Sequence, residues 1–248
     1  MREQIDTIPV IEAYEAQDEC PFCYLERKAE QSTIRYVAGP GASYMEPDVR
    51  GATDKLGFCR EHTKKLYDYG NSLGAALILQ TYFAGILERF HMEADDMTPG
   101  KKSLFGKKQP AASDYPQQLR QQVDSCFICD RIDYHMERYY LTFFHLIKDP
   151  EFRTKVENSK GFCLKHFTQL MEKADKMLSN AQHEWFYKTV PAITEKNLIR
   201  VKEDLDWFIA KFDYRNASAD WKNAKDALSR TMQKLEGLYV ADPPYKKD

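Results

Sequence analysis

The feature that most constrains this chain is a cysteine–histidine constellation that occurs twice. Gly57-Phe58-Cys59-Arg60-Glu61-His62 returns as Gly161-Phe162-Cys163-Leu164-Lys165-His166. A Cys-x-x-Cys pair precedes each copy, Cys20 and Cys23 in the first case and Cys126 and Cys129 in the second. All six cysteines of the 248-residue chain fall in these motifs. A two-residue gap lets both side chains of a pair reach one ion, above all at a turn entering a helix, and two such pairs supply a tetrahedral set. Three thiolates and one imidazole make a structural zinc set, closed to water and substrate. Taken in chain order, Cys20, Cys23, Cys59 and His62 form one site, and Cys126, Cys129, Cys163 and His166 the other. With gaps of 35 and 33 residues between the pairs, each ion would clip two distant segments of its own half together.

Two zinc ions are therefore expected, with an iron–sulfur cluster on three Cys and one His as the alternative. Free buried cysteines have no reason to pair in this way twice. Disulfides would leave an odd thiol in each half. A c-type haem signature is absent, because Tyr24 and Asp130 stand where a histidine would follow each Cys-x-x-Cys.

The repeat is wider than the cysteines. The offset is 106 residues from Cys20 to Cys126, 104 from Cys59 to Cys163 and 103 from Pro47 to Pro150, where Glu46-Pro47-Asp48-Val49-Arg50 is answered by Asp149-Pro150-Glu151-Phe152-Arg153. Near-constant offsets across matched blocks predict two copies of one module. The expected organisation is a first module over 1–93, a linker or loop over 94–118, a second module over 119–195, and C-terminal helices with a loose tail over 196–248.

The fold class expected is mainly α, since nothing alternates with period two over a useful length. Residues 3–16 space Ile5, Ile8, Ile11 and Tyr14 as a short helix despite Pro9. Tyr24 to Val37 favours helix up to Gly39-Pro40-Gly41, and a helical turn starts near Pro47. Arg60 to Asp68 favours another. Residues 71–92 give a long helix whose Leu73, Ala76, Leu77, Phe83, Ile86, Leu87 and Phe90 predict a core-facing stripe. A lead-in over 117–124 precedes an aromatic run over 130–147. A helix over 179–212 is expected to kink or break before Pro191, and a last one over 218–235 to carry Trp221, Ala224, Leu228, Met232 and Leu235 on one side.

Composition removes several function classes. A net charge of −2, with residues 1–93 the one noticeably acidic part, offers no polycation for nucleic acid. The N-terminus lacks the basic and apolar regions of a signal peptide, and no apolar run reaches the ~20 residues of a membrane span. The cytoplasm, where thiols stay reduced, is the expected location. No phosphate-binding glycine loop, serine elbow or paired catalytic carboxylates stand out. His91, His135, His145 and His183 sit singly and lack a ligand-spaced partner. The reading is a non-enzymatic interaction or adaptor protein with a protein partner. A thiol or zinc sensor is the alternative, and an enzyme with a pocket between the modules, lined by the Tyr134–Phe144 aromatics, is the third.

Cys20-Pro21-Phe22-Cys23, the Tyr44-to-Arg50 segment, Gly57-to-His62 and Phe212-Asp213-Tyr214-Arg215-Asn216 together resemble an uncharacterised family of unknown function from anaerobic Gram-positive bacteria. The resemblance covers most of the chain and implies a bacterial protein that works as one unit. It transfers no activity or substrate.

Overall fold

The computed structural model describes residues 2–41, 43–93 and 114–237. Most of the expected linker and the expected loose tail over 242–248 lie outside the described residues. Those described form eleven α-helices and two short 3-10 turns, with no strand among them. In order the helices are α1 (Arg2–Glu15), α2 (Pro21–Ala38), α3 (Pro47–Leu56), α4 (Arg60–Tyr69), α5 (Ser72–Glu93), α6 (Tyr115–Asp124), α7 (Phe127–Leu146), α8 (Pro150–Glu157), α9 (Leu164–Met177), α10 (Asn180–Ala210) and α11 (Ala227–Glu236). The sequence of elements runs in parallel in the two halves. A lead-in helix, a Cys-x-x-Cys helix, a helix opened by proline, a Cys-x-x-His helix and a long helix appear as α1–α5 and again as α6–α10.

Local signals explain most of the boundaries. Pro47 and Pro150 open α3 and α8, where a missing N–H costs nothing. Gly57 and Gly161 follow with φ of 59° and 70°, a region open to glycine at little cost. Close packing gives each a second reason. A Cβ on Gly57 would run into the Tyr82 ring of α5, and one on Gly161 would lie 2.9 Å from Thr194 Cα of α10.

Three expectations need correction. The first is α10, which runs unbroken through Pro191 for 31 residues. Phe186, Val190, Thr194 and Val201 are buried along it, and that packing outweighs the one backbone bond the proline forgoes. The second is α5, which buries only Gly74 and Ile78. Polar contacts hold its inner face: Thr81 donates to Asp54 (2.7 Å), Arg50 to the Leu77 carbonyl (3.0 Å) and Arg89 to Gln122 (2.6 Å). Leu73, Phe83, Leu87 and Phe90 point to solvent. The third is α11, which is shorter than expected and turns a largely polar face inward. It buries Ala227, Arg230, Gln233 and Lys234 and exposes Leu228, Met232 and Leu235. Hydrophobic periodicity finds a helix; it does not find which face a set of specific polar partners will claim.

The described residues group into two compact units, the first of which joins two separate stretches of the chain. One comprises 2–29 and 134–237; the other comprises 30–93, apart from residue 42, and 114–133. The boundary therefore falls inside α2 and inside α7. The first unit has an aromatic core in which Phe22, Tyr140, Phe143, Phe162 and Phe186 are buried. Phe22 stacks on Tyr140 at 4.6 Å between ring centroids and meets Phe143 edge-on at 5.7 Å. The aromatic run of α7 is thus core from Tyr139 onward, while Tyr134 is exposed. The second unit buries Ile34, Val37, Val49, Leu66, Ile78 and Ile128.

Candidate metal centres

Each motif sits at a helix N-terminus. Cys20 and Cys126 immediately precede α2 and α7, and their carbonyls accept the opening helical bonds from Tyr24 and Asp130. Cys23 and Cys129 lie in the first turns. Cys59 and Cys163 are the N-cap residues of α4 and α9, in extended conformation, with His62 and His166 one turn in. Unpaired N–H groups and the positive end of the helix dipole favour thiolate at all of these positions.

The eight residues gather into two groups of four, and the grouping is crosswise. Cys20 and Cys23 meet Cys163 and His166; Cys59 and His62 meet Cys126 and Cys129. Within each group the candidate donor atoms all lie within 4.8 Å of one another. The in-order pairing is therefore corrected: each set takes its Cys-x-x-Cys from one half and its Cys-x-x-His from the other. Motif partners are 140 positions apart for Cys23 and Cys163, and 64 apart for His62 and Cys126. Each complete set lies within one compact unit. Backbone chemistry supports the crossing in the second unit, where the Phe127 N–H at the start of α7 donates to the Gly57 carbonyl at 2.9 Å. A helix-end donor that would otherwise go unpaired thus joins the two motifs.

In the first centre His166 Nδ1 is 3.5 Å from Cys20 Sγ, 3.4 Å from Cys23 Sγ and 3.1 Å from Cys163 Sγ, and the Cys23 and Cys163 sulfurs are 3.5 Å apart. In the second, His62 Nδ1 lies 3.3 Å from each of Cys59, Cys126 and Cys129 Sγ, with Cys59 and Cys129 3.9 Å apart. Zinc–ligand lengths of about 2.3 Å to sulfur and about 2.0 Å to nitrogen place tetrahedral S···S near ~3.8 Å and S···N near ~3.6 Å. The donor sets match that spacing to within a few tenths of an ångström. No pair approaches a disulfide length, and all six cysteines are free thiols.

Crowding sulfur in this way perturbs its ionisation. Hydrogen bonds from Cys20 and Cys23 draw the Cys163 thiol down to about 4, and the same contact with Cys163 pushes Cys23 far up. Burial opposes ionisation of Cys126, but the hydrogen bond from His62 outweighs it and brings that thiol to about 6. Burial also works against a charged His62, and its contacts with Cys126 and Glu30 overcome this and raise it to about 10. Burial and then Cys126 drive Cys129 up. In each group one thiol is drawn down while a neighbour is pushed up. A dication among them removes that conflict, because every thiol can then ionise toward it.

The surroundings were not legible in the motifs. His62 Nε2 faces Glu30 Oε1 at 3.0 Å, and Lys65 pairs with the same oxygen at 2.6 Å. His166 Nε2 is 3.5 Å from Glu26 Oε2 and makes no hydrogen bond, while Lys165 pairs with Glu26 at 2.5 Å. Both carboxylates stand on α2, four residues apart. An outer carboxylate fixes the imidazole tautomer and strengthens the donor nitrogen. The first centre has a further cover in α11. Lys234 is buried and donates to the Glu19 and Lys160 carbonyls at 2.6 Å each; Gln233 donates to Asp18. Gly237, at φ 74°, closes over the sulfurs, so that a Cβ there would lie 3.7 Å from both Cys23 and Cys163 Sγ.

Outside the centres, the first unit has an open cleft of about 600 Å³ lined by Asp6, Tyr134, Arg138, Phe144, Lys148 and Lys176 among others. Arg138 is engaged by Asp6 at 2.6 Å, and the lining contains neither cysteine nor a carboxylate pair. Among the described residues no helix is long and apolar enough to cross a membrane.

A protein of Caldicellulosiruptor sp. (strain Rt8B.4), described as an uncharacterized 23.9 kDa protein in the xynA 3'region, is 21% identical over 201 residues, covering 81% of this chain and 85% of that one. No solved structure matches the chain. The model of a family of unknown function, DUF6062, matches residues 1–242, and the chain belongs to that family.

Proposed function

We propose that the protein is a two-zinc, non-enzymatic interaction or adaptor protein. The observation that carries this reading is the pair of closed four-donor sets, three sulfurs and one nitrogen each, with donor atoms within 4.8 Å of one another. That compactness suits one ion per set; an iron–sulfur cluster spreads its protein ligands around several irons and needs a wider cage. Four protein donors leave no open coordination position for substrate, which favours a structural role. The parallel order of helices in the two halves supports an origin by duplication, in which the repeat unit is the sequence module and the packing unit exchanges motifs between modules. A reducing, cytoplasmic setting fits six unpaired thiols.

Metal analysis of protein purified without added metal tests the reading. The expected result is two zinc per chain and no iron. A brown, iron-containing sample overturns the zinc assignment, and zero or one metal overturns the two-site reading.

A thiol or zinc sensor is the second reading. The half-exposed Cys59 and Cys129 favour it, because oxidants reach thiolates according to access. Mild peroxide should then release zinc from folded protein. Release that coincides with unfolding supports the structural role instead.

A further inference from the structure

The outer face of α5 carries a second pattern, unrelated to metal. Leu73, Ala76, Gln80, Phe83, Leu87 and Phe90 recur at alternating intervals of three and four residues, and all six are exposed. This is the a/d spacing of a two-helix seam. No charged residue lies on it, and the flanking Leu79 and Ala84 are also exposed. The opposite face is already occupied by Gly74 against Tyr44, Tyr82 against Gly57, and Arg89 on Gln122. We propose that this seam is where a second copy of the chain docks, α5 against α5 in antiparallel orientation.

The seam complements itself in that orientation. A twofold axis between Thr81 and Tyr82 sets Leu73 opposite Phe90, Ala76 opposite Leu87 and Gln80 opposite Phe83 of the second copy. Every layer then joins an a to a d position, and the smallest side chain faces a large one. A parallel pair would stack Ala76 on Ala76 and Phe83 on Phe83, leaving a gap in one layer and crowding another. The absence of charge removes any like-charge penalty for self-pairing and offers nothing to orient a charged partner. Five large apolar side chains, Leu73, Leu79, Phe83, Leu87 and Phe90, are about half free, amounting to on the order of 450 Å² per copy before the smaller residues are added. The pair thus reaches the lower end of specific interfaces, about 1,200 Å², and forms a reversible dimer with a dissociation constant on the order of micromolar.

Sedimentation velocity on the full chain from about 1 to 200 µM, with zinc content measured on the same samples, tests this. The wild type should pass from monomer to dimer across the range. Phe83→Asp should remain monomeric with unchanged zinc, since its side chain is exposed and touches no ligand. Register is tested separately. Ala76→Glu and Leu87→Lys each weaken the dimer alone, and combined they restore it, because residue 76 faces residue 87 of the second copy. A wild type that stays monomeric, as it would if another part of the chain covered the seam or a foreign helix were its partner, overturns the proposal. So does a dimer that persists in Phe83→Asp, or a combined variant that fails to recover.

Discussion

The two centres have the same donors and the same helix-end geometry but different cover. In the first, no ligand is more than 1% exposed. In the second, His62 and Cys126 are buried while Cys59 and Cys129 are partly open. The difference comes from what lies over the donors. The first centre is walled by the aromatic core and closed by α11 through Lys234 and Gly237. The second relies on Glu30 and Lys65, a charged pair at the edge of solvent. If both sets hold zinc, the same coordination chemistry would give a lasting fastening at the first and an exchangeable one at the second, with access setting the rate.

Removing one ligand from each centre is the strongest way to break that comparison. Cys163→Ser should lower zinc from two to one and leave the first unit unfolded, since structural zinc contributes about 10 kcal/mol or more and a whole domain is stable by only about 5–15 kcal/mol. Cys59→Ser should also lose one zinc, yet yield soluble protein with a reduced Tm. Equal losses on thermal unfolding would show that cover is irrelevant.

Release kinetics give the next largest contrast. With a thiol-modifying reagent and a chromogenic chelator, one equivalent of zinc should leave at least about tenfold faster than the other, as expected for exposed against buried thiolates. Protection of Cys59 and Cys129 in mass-spectrometric mapping would assign the fast phase wrongly and sink the comparison.

Two smaller effects sharpen it. Lys234→Met strips the Glu19 and Lys160 carbonyls of a charged donor and should cost about 2–4 kcal/mol, accelerating release at the first centre alone. Glu30→Gln should weaken zinc at the second centre by about tenfold, whereas Glu26→Gln should change the first by less, because Glu26 makes no hydrogen bond to His166. A competition titration against a calibrated chelator reads both, and equal effects would discount the outer carboxylate.

Much of the fold could be read from the chain. The helices, their starts at Pro47 and Pro150 and the eight clustered residues follow from local chemistry that spacing records. What spacing does not record is partnership. A Cys-x-x-Cys and a Cys-x-x-His are compatible with either copy of each other, and the choice rests on contacts such as the Phe127 N–H on the Gly57 carbonyl, which no periodicity reveals. The same limit explains α5 and α11. Their apolar stripes are real, but Asp54, Gln122, Asp18 and the Glu19 carbonyl claim the polar faces, and a stripe cannot show that its opposite side has specific takers.

The crosswise grouping has a consequence in time. A ribosome delivers Cys20, Cys23, Cys59 and His62 before the pairs that complete their final sets, and early segments begin to fold as they emerge. The nascent first half thus holds a complete three-sulfur, one-nitrogen set of the wrong membership. A zinc ion captured then would have to be given up once Cys126 and Cys129 arrive, leaving Cys20 and Cys23 to bind another with Cys163 and His166. Refolding started in zinc should consequently show a slow phase that is absent when zinc is added after collapse. Cys59→Ser, which spoils the premature set, should abolish that phase.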